Sequence, residues 1–230
     1  MAASSKTEVK YLTLINVDVP IGLHKPSAPR VLLGTVAGGG NKAIENMFSY
    51  ISIGSGSSDR VGRKIFVKSI TFKYTLRYCP STTAVAAGWS NSPTQSMRVR
   101  MMVTDTRNGF AVDDNLWTFD AASTANYDVH LKYPDRTVYN VFYDKMYTSS
   151  PVGSSASVSY LFPSIYINKT LRVNKLIEYQ NNATGPKNEN TVYSLAFIAS
   201  NPSITDAAYP QLIPQYYCAT GSTRIYYTDA

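Results

Sequence analysis

The sequence has few of the residues from which most catalytic and metal sites are built. It contains two cysteines and two histidines in 230 residues, and neither Cys79 nor Cys218 belongs to a CxxC or Cys/His spacing that would predict zinc. We therefore expect two free thiols and a reducing compartment. His24 and His130 stand apart from any serine or cysteine motif, and no nucleophile elbow, His-Glu-x-x-His motif or Walker loop occurs. These absences predict a protein that is not an enzyme and needs no cofactor.

A calcium site is the one metal site that the sequence offers for consideration. Asp105, Asp113 and Asp114 form a loose acidic cluster along the chain. Calcium takes about six to eight oxygen ligands, and nothing in the sequence supplies that number here. Aspartates that cap loops are the more ordinary interpretation, so we predict no metal site.

Long apolar runs are also missing. Residues 1–20 lack the continuous apolar segment of a signal peptide, and no run approaches the length that spans a membrane. We therefore expect a protein that is neither exported by the usual route nor embedded in a membrane.

Charged residues are scarce, and their balance is positive. They make up 16% of the chain, yet 22 Lys and Arg face 15 Asp and Glu, for a net charge of +7. This combination indicates that much of the surface is buried against copies of the same chain while one face meets an anion. An ordinary basic soluble domain remains the alternative.

Helical periodicity is almost absent, and the best candidate is a single turn near residues 113–119. Strand patterns recur instead. They cover residues 9–19, 47–53, 64–78, 97–105, 138–148, 158–162, 164–173, 192–199 and 223–228. Because no helical crossovers separate these segments, they predict an antiparallel sandwich or barrel.

The connections between these segments favour one kind of sandwich. Two of them, residues 80–95 and 109–137, are long and rich in small and polar residues. Long loops between well-formed strands suit a jelly roll, whose strands cross between two sheets. The predicted fold is therefore all-β: a single antiparallel eight-stranded jelly roll, a two-sheet sandwich with long inter-strand loops, over residues 44–230. Residues 1–43, which contain several prolines and a run of three glycines, predict an N-terminal arm with one possible strand.

The longest strand pattern, residues 64–78, follows a turn rich in Gly, Ser and Asp. Its apolar face is predicted to contain Ile70, Phe72, Tyr74, Leu76 and Tyr78, and its polar face includes Lys73 and Arg77. A loop followed by a basic strand suits a sheet that is buried on one side and meets an anion or another subunit on the other.

The stretch GSGSSDRVGRKIFVKSI, which begins at Gly54, resembles the capsid proteins of small circular Rep-encoding single-stranded DNA viruses, the CRESS-DNA group. Those proteins commonly carry Gly-Thr/Ser-Gly-x-x-x-Arg-x-Gly-Arg-Lys-x-x-x-x-Ser-Ile before a long jelly-roll strand. The matching positions are Gly54, Ser55, Gly56, Arg60, Gly62, Arg63, Lys64, Ser69 and Ile70. A recurrent Tyr-Asp-Lys is matched by Tyr143, Asp144 and Lys145, and SIYINKTLRVN, NTVYSLAFIAS and TRIYYTDA follow in a similar order. Together these pieces span roughly residues 44 to 230.

The resemblance implies a viral capsid protein that self-assembles into a small icosahedral, T=1-like shell around circular single-stranded DNA. It implies two partners, copies of the chain itself and the DNA genome, with no membrane and an unknown host receptor. The implied location is the virion, after assembly in the host cell, in the nucleus. A jelly-roll coat protein of a small RNA virus and a non-viral β-sandwich carbohydrate-binding module are the alternatives.

The N-terminal segment departs from this resemblance. Such capsid proteins usually begin with a long Arg/Lys-rich tail, whereas only Lys6, Lys10, Lys25 and Arg30 precede Gly38 here. Either a tail has been trimmed, which we favour, or DNA is packaged without one.

Basic side chains are the candidate nucleic-acid contacts. Arg98 and Arg100 alternate with apolar neighbours on one strand face, as Lys73 and Arg77 do on residues 64–78. Contacts of this kind bind phosphates regardless of sequence and weaken with salt. The predicted nucleic-acid-binding residues are Arg63, Lys64, Lys68, Lys73, Arg77, Arg98 and Arg100. A solvated face or a salt bridge is an equal alternative for any one of them.

Two groups near these cations have structural interpretations. Arg60, Arg63 and Lys64 can instead hold the Gly-rich turn by bonding carbonyls or carboxylates. Tyr139, Tyr143 and Tyr147 share one strand face, where we expect packing in the sandwich or across a subunit interface rather than stacking on bases.

Overall fold

The computed structural model describes residues 8–21, 47–78, 97–106, 133–134, 136–137, 139–150, 152, 163–179, 192–200 and 217–230. Its strands are β1 (Lys10–Ile21), β2 (Lys64–Tyr78), β3 (Met97–Thr106), β4 (Tyr139–Ser149), β5 (Ile165–Glu178), β6 (Val192–Ser200) and β7 (Tyr217–Asp229). Within these ranges the one helical element is a 3₁₀ turn at Met47–Tyr50. The all-β prediction is therefore confirmed for the described part of the chain.

The strands form two antiparallel sheets. One has the order β1-β7-β2-β5 and the other has the order β4-β3-β6. Buried side chains of both sheets belong to one apolar cluster, in which the ring of Tyr74 on β2 meets that of Phe197 on β6 edge-on at 5.3 Å. Side chains of the two sheets therefore share one core.

The central strand β2 shows why the core lies where it does. Ile70, Phe72 and Leu76 are fully buried and Tyr74 is 4% exposed, which confirms the predicted apolar face for these positions. Earlier in the strand the buried residues are Ile65 and Val67, which have odd numbers, whereas the later ones have even numbers. A bulge between Val67 and Ser69 changes the register against both neighbouring strands, so the strand keeps its apolar side inward.

One strand prediction is wrong. Residues 47–53 contain the 3₁₀ turn and then only a single bridge at Ile53. Met47, Phe48 and Ile51 are the fully buried residues, and this spacing fits one side of a helical turn rather than one face of a strand.

The other predicted strands have mixed outcomes. Strands are confirmed within the predicted segments 9–19, 64–78, 97–105, 138–148, 164–173, 192–199 and 223–228. The first begins at Lys10, residue 138 lies outside the described residues, β5 occupies Ile165–Glu178 and β7 begins at Tyr217. The predicted strand at 158–162, the helical turn at 113–119 and the boundary near residue 43 lie outside the described residues. Cys218 is buried and belongs to no disulfide, as predicted, and Cys79 lies outside the described residues.

Tyr74 ties three strands of the larger sheet together. Its hydroxyl donates to Asn16 Oδ1 at 2.9 Å and lies 2.8 Å from Thr223 Oγ1. Gly221 lies opposite it on β7, where an added Cβ would overlap the Lys73 carbonyl oxygen and come within 2.7 Å of Tyr74 Cα. Only glycine therefore lets the Tyr74 ring lie across β7 at this position.

We expect this hydroxyl to make folding sensitive to alkali. Burial raises the pKa of Tyr74 from 10.0 to about 12, against a lowering by the hydrogen bond to Thr223. The pKa of Tyr74 is higher in the folded chain than in the unfolded chain. The contribution of this hydroxyl to the free energy of unfolding is therefore complete below about pH 10 and is lost as the pH rises towards 12. The free energy of unfolding should lose about 2–3 kcal/mol over that range through Tyr74. Urea unfolding at several pH values should show a shallower decrease for Tyr74→Phe, and identical slopes would contradict this expectation.

Candidate nucleic-acid interface

The Gly-rich turn before β2 is closed by hydrogen bonds within itself. Gly54 N donates to Arg60 O at 3.1 Å, and Arg60 N donates to Ser52 O at 2.9 Å. The amide of Gly56 donates to Asp59 Oδ2 at 3.0 Å. The short polar residues of the turn thus satisfy its backbone groups locally.

Arg60 lies beneath this turn rather than on the surface. Its side chain is 1% exposed, its guanidinium carbon lies 4.0 Å from the centroid of the Tyr179 ring, and Nη1 donates to Gly62 O at 2.6 Å. Tyr179 in turn donates from its hydroxyl to Phe48 O at 3.0 Å, and burial raises its pKa well above the usual range. These contacts confirm that Arg60 holds the turn through a backbone carbonyl.

The same turn is attached to the strands at the two ends of the described chain. Lys10 Nζ lies 2.8 Å from Asp229 Oδ2 and donates to Asp59 O at 2.8 Å. The hydroxyl of Tyr227 donates to Ser58 O at 2.6 Å. The stretch that carries most of the family resemblance is therefore a structural junction between β1, β2 and β7.

Arg63 and Lys64 lie at the entrance to β2 and are both exposed. The carbonyl of Arg63 accepts a hydrogen bond from Tyr179 N at 2.8 Å, and Lys64 lies opposite Glu178 in the register with β5. Both cations therefore lie at the end of the sheet, and Lys64 has an acidic residue opposite it.

The two arginines predicted on β3 have different surroundings from Lys73 and Arg77. The Arg98 backbone pairs with Thr148 and Ser200, and its side chain lies outside the described part of the chain. Arg100 is 7% exposed, and its Nε and Nη2 donate to the two carboxylate oxygens of Asp144 at 2.6 and 2.5 Å. This bidentate pair balances the Arg100 charge within the smaller sheet. Asp144, the central residue of the Tyr-Asp-Lys match, therefore has a structural partner in Arg100.

Two of the three tyrosines of β4 pack against the core, and the third is buried elsewhere. Tyr139 is 1% exposed, and Tyr143 and Tyr147 lie against the core with their hydroxyls 2.8 Å apart. The ammonium group of Lys169 lies 5.3 Å from the centroid of the Tyr143 ring. Packing against the core is therefore confirmed for Tyr143 and Tyr147. The prediction that Tyr139 shares their face is wrong, because a bulge between Val103 and Thr104 shifts the register and pairs Tyr139 with Thr106, on the other face of β3 from Val103.

The outward surface of the larger sheet brings together cations from separate parts of the sequence. Three rows cross its strands: Tyr11–Tyr226–Ser69–Arg172, Thr13–Arg224–Thr71–Thr170 and Ile15–Ser222–Lys73–Asn168. We call this surface the basic face and define it by its four exposed cations, Lys73, Arg77, Arg172 and Arg224. Lys68, half-buried at the bulge of β2, adjoins it.

Across the strands, the neighbours of Lys73, Arg172 and Arg224 carry hydroxyl or amide groups, whereas Arg77 lies opposite Cys218. The basic face extends from the row of Tyr11 to the position of Arg77, and none of its described side chains is acidic. Glu178 lies outside this area, opposite Lys64. Thr71 and Thr170 hydrogen-bond to each other at 2.9 Å across β2 and β5. Positive charge among hydroxyl and amide groups is the chemistry that binds sugar and phosphate in nucleic acids.

Two of the four cations were missed by sequence reasoning. Arg172 and Arg224 lie on β5 and β7, about 100 residues or more beyond Lys73 in the chain, and only strand register places them beside it. A signal for Arg172 was present, because alternation over residues 164–173, interrupted only by Lys169, puts it on one face with Asn168 and Thr170. The sequence contains no comparable signal that joins β7 to β2.

Exposed aromatic rings flank the cations. Tyr166 is 78% exposed on the edge strand β5, and Tyr11 is 52% exposed on the opposite edge strand β1. The Arg224 guanidinium carbon lies 4.8 Å from the Tyr11 ring centroid, and its Nε donates to Thr13 Oγ1 at 3.0 Å. Arg224 is therefore held over β1, whereas Tyr166 projects beside Lys73.

Within the described ranges, no three His, Cys, Asp or Glu side chains are grouped as a metal site would need. Asp105 is 2% exposed with Lys175 Nζ at 3.4 Å, while Asp113, Asp114, His24 and His130 lie outside those ranges. No helix in the described part of the chain has the length and apolar character needed to cross a membrane.

Comparison of the sequence with models of protein families finds no match, and comparison with curated proteins finds no significant relative.

Proposed function

We propose that this chain is a viral capsid protein of the CRESS-DNA type, which self-assembles into a small icosahedral shell and turns its basic face towards a circular single-stranded DNA genome. It has no catalytic role in this proposal. The observation that carries it is the basic face itself: four exposed cations on three strands of one sheet, with hydroxyl and amide groups beside them.

The strand orders support a jelly roll. In an eight-stranded jelly roll the first strand pairs with the eighth, the eighth with the third and the third with the sixth; the other sheet has the order second, seventh, fourth, fifth. Without the second strand, and with the others renumbered, these orders become β1-β7-β2-β5 and β6-β3-β4, which match the sheets described above. Residues 22–46, between β1 and the 3₁₀ turn, are numerous enough for that further strand.

The chemistry of the basic face fits a packaged polymer better than a small ligand. Its cations are distributed over a broad surface and do not converge on one point, so they can contact many phosphates in any sequence. Binding of this type releases counterions and falls steeply with salt. A shell protein needs both properties, since it must hold DNA of arbitrary sequence and also release it.

Self-assembly is supported by exposed apolar side chains outside the centre of that face. Val17 on β1, Val61 in the turn and Val152 after β4 are 69%, 66% and 60% exposed. A closed shell is built from several heterologous contacts per subunit, and weak contacts suffice when many are made together.

Assembly in the presence of circular single-stranded DNA tests the proposal. We expect the purified chain to form uniform particles by size-exclusion chromatography and negative-stain microscopy, with DNA that resists nuclease until the particles are opened by salt. A monomer that persists across salt and pH would contradict the capsid assignment. Protection of RNA but not DNA, in a parallel mixture, would assign the chain to the RNA-virus type instead.

A further inference from the structure

We infer that the basic face contains a base-stacking site, formed by Tyr166, Lys73 and Asn168, which takes one nucleotide of a single strand by its base and its phosphate together. The inference rests on the proposed function for the identity of the polymer. It adds a contact with the base, which binding through phosphates alone does not require.

A shallow depression marks this site. Its volume is about 500 Å³. Its lining includes Lys73, Thr75, Tyr166, Asn168 and Thr220. On the outward side, Thr75 on β2 and Thr220 on β7 lie in one row with Tyr166. Both side chains are small, so they leave room for a planar group beside the ring.

Tyr166 is the residue that points to a base. Its side chain is 78% exposed although its strand neighbours Ile165 and Ile167 face the core. An aromatic ring exposed on a basic sheet is the usual platform on which single-stranded nucleic acids stack, because every base offers a π-face.

The strand register places the other two groups within reach of a stacked nucleotide. Tyr166 lies opposite Thr75, and Asn168 lies opposite Lys73. Lys73 and Tyr166 are therefore diagonal neighbours, with their Cα atoms about 7–8 Å apart. The Lys73 ammonium can therefore meet the phosphate of a base stacked on Tyr166, while the Asn168 amide offers a donor and an acceptor to its edge. Arg77 follows along β2 at about 13 Å from Lys73, at about 3.3 Å per residue, and continues the phosphate path.

This arrangement selects single strands over duplexes. The bases of a duplex are stacked on one another and cannot lie on a protein ring, whereas unpaired bases can. The two-part contact therefore predicts a preference that phosphate contacts alone would not give.

An abasic strand separates the two kinds of contact. We would measure fluorescence anisotropy of a short thymidine oligomer and of an abasic oligomer of equal length, which has the same phosphates and no bases. The wild-type chain should bind the thymidine strand about 5- to 100-fold more tightly, as one or more stacked bases contribute. Tyr166→Ala should remove most of this difference, and Tyr166→Phe should retain it. Tyr133→Ala, at a position that is 82% exposed and outside the strands of this sheet, is the matched control and should behave as wild type.

The outcomes distinguish the inference from the proposed function. Equal, salt-sensitive binding of both strands would overturn the stacking site and leave the phosphate-binding face standing. Binding of neither strand would overturn both. Binding of a neutral oligosaccharide through Tyr166, with no oligonucleotide bound, would assign the depression to carbohydrate. A circular-dichroism spectrum like that of the wild type for Tyr166→Ala would show that a lost preference does not reflect unfolding.

Discussion

The double variant Lys73→Glu with Arg172→Glu is expected to bind single-stranded DNA on the order of 30- to 100-fold more weakly than the wild type at low salt. Both residues are exposed on the basic face, one on β2 and one on β5. Each reversal removes a phosphate contact and adds a repulsive charge beside the remaining cations. The slope of log affinity against log salt should also become shallower by about 1.4, since each phosphate neutralised on a single strand contributes about 0.7.

The matched control is Arg136→Glu with Lys145→Glu. These two residues are exposed and lie outside the larger sheet, and the double variant changes the net charge by the same amount. We expect it to lose only the small part of affinity that follows from net charge at long range. Equal losses in the two double variants would mean that net charge, and not the basic face, determines binding. Thermal unfolding of both proteins would verify that neither result reflects a damaged sheet.

Arg60→Ala should be among the most destabilising single substitutions in this chain, with a loss of about 3–5 kcal/mol in the free energy of unfolding. The change removes a buried guanidinium stacked on Tyr179 and opens a cavity of side-chain size beneath the Gly-rich turn. It also removes the donor to the Gly62 carbonyl. Urea unfolding of the wild type and variant would measure the difference.

Two further substitutions identify the cause of that loss. Arg60→Lys keeps the positive charge but loses the planar guanidinium, which stacks on a ring and donates several hydrogen bonds. It should therefore retain only part of the stability that Arg60→Ala loses. Arg136→Ala makes the same deletion in an exposed turn and should change stability by no more than about 0.5 kcal/mol. If Arg60→Ala unfolds at the same urea concentration as Arg136→Ala, the turn is not anchored in the way described here.

Much of the fold was predictable because alternation is a local property of the chain. Residues 64–78 have a strict apolar and polar period from Ile70 onwards, and β2 occupies those bounds. The bulge at Lys68 could not be predicted, since it becomes evident only from the register against β5 and β7. Residues 47–53 were misassigned because a short apolar segment has no periodicity long enough to separate a strand from a helical turn.

The candidate site was predictable only within single strands. Lys73 and Arg77 were found from the polar face of β2, but Arg172 and Arg224 join them through pairing between strands that are distant in sequence. Arg100 has the same alternating context as Lys73, yet an acid on the neighbouring strand, Asp144, pairs with it. Strand pairing thus decides which cation of a polar face stays exposed, and sequence periodicity contains no information about pairing.

Cryo-electron microscopy of particles assembled with circular single-stranded DNA tests the central proposal most directly. We expect the β1-β7-β2-β5 sheet to line the inside of the shell, with density for DNA against Lys73, Arg77, Arg172 and Arg224. Particles in which this sheet faces outward, with DNA density against the β4-β3-β6 sheet instead, would contradict the proposal.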